Sequence, residues 1–339
     1  MKAITVDPQA LAELNDRYSR VSGNVDFSQM INTVLIIIGT GASGPMVEHI
    51  SRLGIKSMYL FDNKRVRKKN QVAQNFTFTD IGLQKPEALK RRLEACEFEK
   101  GNPKIPALKV QIYGDFLAIR DDELEAKIRS EQSTGRRVVI VMTSDYHPAQ
   151  ARANRIALRY NLSVFWVGIY RGGKAGEIIF FVPGYDLPCY RCIAKTRYNF
   201  FERTRLAKHL RGDFSGSGKS TGLPHAAYFI DSVLSHLIIG LIHVEVEDNP
   251  HGRLFNRLLR ERRNLIQCQL DPDYKLNGSE DIFAQIKGPD LIAFNTIFQR
   301  EDKNPNCFDC GKVALSINGW QHTDYTKEDY RKHLEATNK

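Results

Sequence analysis

Residues 33–44, TVLIIIGTGASG, constrain this chain more than any other stretch. Residues 34–38 are five consecutive apolar residues, mostly β-branched and without alternation. Such a run is too short for a helix and suits a strand buried on both faces. Gly39, Gly41 and Gly44 then give G-x-G-x-x-G ahead of a helical pattern, Met46, Val47, Ile50 and Leu53, that stops at Gly54. The first glycine permits a tight turn and the second lets backbone N–H groups approach a phosphate. The third lets the helix lie close on the sheet with its positive end toward the anion. A second strand over 57–61 ends on Asp62, whose carboxylate can take ribose hydroxyls. This pattern predicts a nucleotide site and fits NAD and ATP equally.

The alternation continues. The spacing predicts a helix over 85–96, a strand over 107–112, a charged helix over 121–130, a buried strand over 138–142, a helix over 148–160 and a strand over 163–168. That grammar is an α/β fold with a mostly parallel, Rossmann-like sheet flanked by helices. The loop after Asp62 is polar and basic and carries Asn70 and Gln74. Lys85 opens a helix, where the macrodipole is positive, so a bound anion would relieve the misfit; a solvated lysine is the other reading. The strand over 138–142 delivers Asp145 to the same carboxyl edge. There it can hold Mg²⁺ through one or two oxygens or cap the helix that follows, and the two uses are compatible.

The net charge is +10, with basic clusters at 64–69, 203–211 and 257–263. These read as solvated faces or as attraction for polyphosphate or an acidic protein. No aromatic-basic stripe points to nucleic acid. No run of 18 apolar residues and no signal-peptide pattern are present, which predicts a soluble, cytoplasmic protein without a membrane role.

Beyond residue 168 the pattern becomes antiparallel, with a strand over 177–182. Cys189 and Cys192 form one C-x-x-C, and Cys307 and Cys310 form another. Two such knuckles are the ligand set of a tetrahedral Cys₄ zinc site, structural because all four positions are protein thiolates. A redox C-x-x-C would need only one pair. GSGKST at 216–221 imitates a phosphate loop, but Asp213 stands where a glycine is required and no strand precedes it. The chain is read as an N-terminal helical segment over 1–32 and a main domain over 33–311, with a polar tail over 312–339. Within the main domain a crossing loop is expected over 193–222, a long apolar helix over 224–244 and an insertion over 247–290 of polar turns around a basic helix at 253–263. A late strand is expected over 292–298.

With both knuckles in place, the sequence resembles the ThiF/MoeB/HesA family over residues 14–311. This is the adenylating fold shared with ubiquitin-activating enzymes. The matching pieces occur in family order: RYSR at 17–20, the glycine turn at 39–44, Asp62 with Asn70 eight positions on, GLQK at 82–85, TSD at 143–145, PCYRC at 188–192 and CFDC at 307–310. The resemblance implies ATP with Mg²⁺, and adenylation of the C-terminal carboxylate of a ubiquitin-like or sulfur-carrier protein, or of a peptide. It implies a homodimer, a divergent bacterial member and, for some relatives, a conjugating enzyme as partner. It also implies that Gly41 contacts phosphate, Asp62 the ribose, Lys85 the triphosphate charge and Asp145 the magnesium, with Arg20 reaching the other subunit's site.

Two departures stand out. Ala73 occupies the place of the family's phosphate-facing arginine, leaving Arg65, Arg67 or Lys69 as substitutes. Residues 193–267 hold no cysteine for a thioester. Outside the knuckles only Cys96 and Cys268 remain, and Cys268, beside a basic helix, is the candidate thioester carrier of a full activating enzyme. A non-catalytic scaffold of the same fold and an NAD-dependent dehydrogenase are the remaining alternatives.

Overall fold

The computed structural model describes residues 18–21, 23–97, 105–198, 223–271 and 294–311, with Pro8 besides. The chain divides into two compact units, residues 1–141 with 231–257, and residues 142–230 with 258–339. The expected α/β class holds. Parallel strands with flanking helices build the first unit, and antiparallel strands and a four-cysteine cluster build the second.

In the first unit, α1 (Phe27–Ile31) precedes β1 (Thr33–Ile38), α2 (Gly44–Arg52) and β2 (Ser57–Phe61). The short α3 (Asn70–Ala73), α4 (Lys85–Ala95), β3 (Lys109–Tyr113), α5 (Asp121–Ser133) and β4 (Arg137–Met142) follow. The strands run in the order β3-β2-β1-β4. Residues 34–38 pair in parallel with 57–61, and 57–61 with 109–113. Every residue of β1 and β2 is buried, as continuous apolar runs require of strands covered on both faces. Because β2 and β4 lie on opposite sides of β1, the glycine turn after β1 sits where the strand order reverses. In open α/β sheets that is the place for ligands.

The helix α1 falls inside the helical segment expected over 1–32, although the period predicts no separate helix at its end. At five residues it is too short to show a period, and the Asp26 carboxylate holds it by accepting from Ser28 N at 2.8 Å.

The second unit contains α6 (His147–Tyr160), β5 (Ser163–Ile169), β6 (Ala175–Phe181), the short α7 (Tyr190–Ile193), β7 (Leu265–Gln269) and β8 (Asn295–Gln299). Its strands run β5-β6-β7-β8, all three pairs antiparallel. Between them in sequence, α8 (Pro224–Ile242) and α9 (Pro250–Arg260) belong partly to each unit. By length and composition α8 could cross a membrane, yet Ala226, Ile230, Leu234, Leu237, Ile238 and Ile242 on it are buried inside the protein.

The basic helix expected within the insertion over 247–290 is present at 250–260, and the revision concerns 265–269, which form an interior strand between β6 and β8. Gln267 and Gln269 made that stretch look polar, but both are buried. Gln267 donates to Tyr170 Oη at 3.1 Å and accepts from Gln299 Nε2 at 2.8 Å. Residues 272–290, most of the crossing loop with GSGKST, most of the N-terminal segment including Arg17, and the tail over 312–339 lie outside the described residues.

Candidate functional site

The glycine turn is built as its sequence demands. Gly39 has φ +97°, open to a residue without Cβ, and its N–H donates to Phe61 O at 2.8 Å, carrying the sheet into the turn. Ser43 occupies the cap position of α2 without capping it, and its Oγ donates to Gly39 O at 3.0 Å. The first turn of α2 therefore carries helix-start N–H groups that its own cap residue does not take up.

Gly41 and Gln74, far apart in sequence, come together. A Cβ on Gly41 would stand 2.7 Å from Gln74 Nε2 and 3.0 Å from its Cδ. The side-chain amide thus lies directly over the second glycine, and its Oε1 is buried without a hydrogen-bond partner. A polar amide left unsatisfied over an anion-binding turn is a group that a ligand's hydroxyl or amino group can engage. Gly41→Ala is expected to displace this flexible amide rather than the backbone. The melting temperature should hold within about 3 °C while ATP affinity falls at least ~10-fold, by calorimetry on the folded variant.

Asp62 closes the turn from below. Its Oδ2 accepts from Thr40 N at 3.0 Å and Thr40 Oγ1 at 3.4 Å, and its Oδ1 accepts from Lys64 N at 2.9 Å. It orders the turn, and Oδ1, which accepts a single bond, keeps a second lone pair for a ribose hydroxyl. Asn70 is engaged locally, its Oδ1 accepting from Arg67 N at 2.9 Å. Of the three cations considered as substitutes at position 73, Arg65 donates to Gly82 O at 2.8 Å, and Arg67 and Lys69 are exposed.

Lys85 is only 5% exposed although it is the first residue of α4, and its Nζ lies 6.0 Å from the Phe76 ring centroid. Phe76, two residues after Gln74, is buried against Val66 and Ala88. Lys85, Phe76 and Gln74 therefore belong to one arrangement in the first unit.

Arg20 is exposed, in a turn closed by Val21 N donating to Tyr18 O at 2.8 Å. Asp145, in the second unit, is exposed. The cap position of α6 falls on Tyr146 and makes no side-chain cap bond, so the capping use considered for Asp145 is not the one adopted.

In the second unit the four knuckle cysteines converge. Their sulfurs all lie within 4.8 Å of one another, with Cys189–Cys192 at 3.9 Å, Cys189–Cys307 at 3.7 Å and Cys192–Cys310 at 3.5 Å. Four thiolates at ~2.3 Å from a tetrahedral zinc stand about 3.8 Å apart, close to these three separations, so the donor set suits zinc. Burial raises the Cys189 thiol well above its ordinary range, whereas sulfur–sulfur hydrogen bonding, with Cys189 the largest contributor, lowers Cys307 to about 7. Asn304 N donates to Cys192 Sγ at 3.4 Å, an outer contact of the kind that stabilises a thiolate.

Asp309, between the second pair of cysteines, was not singled out in the sequence. It is buried and accepts from Asn154 Nδ2 at 2.8 Å, with Arg191 Nη1 at 3.5 Å and Arg155 Nε at 3.9 Å. Its position inside the knuckle was the available signal.

The environment expected for Cys268 is corrected. It lies in β7, fully buried and paired across the ladder with Gly176 and Thr296, and burial pushes its thiol up to about 11 rather than down. Site-resolved alkylation at pH 8 should leave Cys268 unmodified in folded protein. Its labelling should rise only as pH approaches 11, because the folded state favours the neutral thiol.

The ThiF family model matches residues 18–220, more than half of the chain. The ubiquitin-like modifier-activating enzyme 5 of Drosophila virilis is 27% identical over 170 residues, 49% of this chain and 41% of that protein. That of Drosophila erecta is 24% identical over 220 residues, 63% of this chain and 52% of that protein. The match thus spans about two fifths to one half of the length of these curated relatives. Among solved structures, Escherichia coli MccB with its MccA-N7isoASN ligand superposes with a TM-score of 0.58 at 17% identity, over 88% of this chain and 75% of that one. MccB with AMPCPP and selenomethionine MccA superposes at 0.53 and 18%, over 84% and 68%. At these identities the likeness is one of fold.

Proposed function

This chain belongs to the ThiF family, and from that premise we propose that it uses ATP and Mg²⁺ to adenylate the C-terminal carboxylate of a ubiquitin-like or sulfur-carrier protein, or of a peptide. The observation that carries the reading is the Gln74 amide seated over Gly41 at the switch point, with an unsatisfied oxygen. The names of the similar proteins support it: activating enzymes for ubiquitin-like modifiers, and MccB solved with MccA and with AMPCPP.

The chemistry asks little of side-chain bases. A C-terminal carboxylate, with pKa ~3.3–3.7, is already ionised at neutral pH. One of its oxygens attacks the α-phosphorus, the bond to the bridging oxygen breaks, and pyrophosphate leaves. The site must align the two reactants and neutralise charge. In this reading the glycine turn and the start of α2 hold phosphate, Asp62 takes the ribose, and Lys85 balances triphosphate charge. Asp145 contributes the carboxylate that magnesium needs, and Arg20 serves the other subunit of a homodimer. Zinc held by the four knuckle cysteines supplies rigidity and no chemistry. With Cys268 buried and its thiol raised, the acyl-adenylate passes directly to an acceptor amine or to another protein's thiol.

ATP–pyrophosphate exchange with Mg²⁺ against candidate carriers and peptides tests this. Carrier-dependent exchange is expected, falling by ~10²-fold or more in Asp145→Ala. Ala73, in place of the family arginine, favours one second reading, a scaffold that binds the carrier without activating it. Absence of ATP binding by wild-type protein would select that reading.

A further inference from the structure

Gln74 follows α3, a four-residue helix none of whose side chains is buried. Its own packing therefore does not fix where the Gln74 amide sits. The residues that follow are held by Arg92, on the face of α4 that also carries Lys85, Ala88, Leu89 and Leu93. Arg92 Nε lies 2.7 Å from Glu48 Oε1 on α2, and its Nη1 donates to the backbone oxygen of Asn75. The same nitrogen is 4.0 Å from Asp80 Oδ2, the carboxylate that accepts from Thr77 N at 2.7 Å and Thr77 Oγ1 at 2.8 Å. The guanidinium carbon is 5.3 Å from the Phe76 ring centroid, and Nη2 is 3.1 Å from where a Cβ on Gly44 would stand. One side chain thus touches the start and middle of the phosphate-facing helix, the residue after Gln74 and the turn beyond it.

We propose that Arg92 is the positioning residue of the nucleotide site: it fixes Asn75 against α2 and thereby holds the Gln74 amide over Gly41. It does so in a chain with alanine at position 73. The charge balance separates this role from direct phosphate binding. Arg92 stands between two carboxylates, Glu48 and Asp80, so its positive charge is already neutralised inside the protein. What it supplies is the three-way geometry of a planar fork, which a lysine ammonium cannot reproduce.

The inference rests on the nucleotide reading for its effect on ATP, and its test separates the two. Arg92→Lys keeps the charge and loses the fork; Arg92→Gln removes both, and if it fails to fold the lysine variant carries the experiment. Hydrogen exchange of the Gln74, Phe76 and Asp80 amides, measured without nucleotide, is expected to accelerate roughly tenfold in Arg92→Lys. Amides in β1 should not change. ATP affinity is expected to weaken about tenfold, but by less than about twofold when Arg92→Lys is made in a Gln74→Ala background, because the arginine acts through that amide. Arg91→Gln, at an exposed position paired with Glu87, should alter none of these. Unchanged exchange in Arg92→Lys, or fully additive losses of affinity in the double variant, would overturn the proposal. If wild-type protein binds no ATP, the adenylation reading fails while the exchange measurement still decides the role of Arg92.

Discussion

Lys85→Met is expected to lower the adenylation rate by ~10²–10³-fold while leaving stability within about 1 kcal/mol of wild type. The two halves of this expectation have one cause. Lys85 is buried at the first residue of α4, where the unsatisfied N–H groups of a helix start make a positive end. The positive end of the helix opposes an ammonium there, whereas a bound triphosphate would gain a preorganised counter-charge beside Phe76 and the Gln74 segment. Methionine keeps the stem's apolar contact and removes the charge. The measurement is pyrophosphate exchange and thermal unfolding on the same preparation. An active Lys85→Met enzyme would remove Lys85 from the proposed chemistry. A large loss of stability would make it a structural residue instead. Such a trade, stability conceded for function at one position, is common where a site must attract charge.

Cys307→Ala should do the reverse, costing stability first and activity as a consequence. Wild-type protein is expected to carry about one zinc per chain and the variant clearly less, with a destabilisation of more than about 4 kcal/mol. The reasoning is geometric. Three of the sulfur–sulfur separations lie close to those a tetrahedral ion imposes, three of the cysteines are buried, and the two pairs lie 115 positions apart in the chain. A metal there closes a long loop and ties α7 to the segment after β8. Because the ligands bind as thiolates, falling pH should release the metal, and stability should fall in parallel. Metal analysis with denaturant unfolding checks both. Metal-free protein of unchanged stability would refute the structural role. Cys96→Ala, at the end of α4 where Arg52 Nη2 contacts the thiol at 2.9 Å, is the control expected to change little.

The parts of this protein that were legible in sequence are those whose chemistry is local. A run such as 34–38 can only be a strand buried on both faces, the glycines after it allow one kind of turn, and Asp62 stands at the end of the next strand. Each C-x-x-C places two thiols within reach of one ion. Alternation of short apolar runs and helical periods was enough for the α/β class and for most element boundaries to within two or three residues.

What the sequence left open depends on residues brought together from a distance. Strand β7 looked like an insertion because Gln267 and Gln269 break its apolar pattern, and only their partners across the sheet explain why they are buried. Arg92 shares the apolar stripe of α4 with Leu89 and Leu93, a spacing visible beforehand. Its importance comes from Glu48, Asn75 and Asp80, which no period connects to it. The thiol of Cys268, adjacent in sequence to cations that would lower its pKa, is raised by the strands on either side of it. The sequence by itself determined the strand-turn-helix start of the site and the identity of the four thiols, because steric limits on a turn and the valence of a ligand set act over a few residues. The tertiary structure decided which amide lies over the second glycine, which arginine holds it there and which cysteine is hidden. Burial and hydrogen-bond satisfaction are settled by neighbours in space.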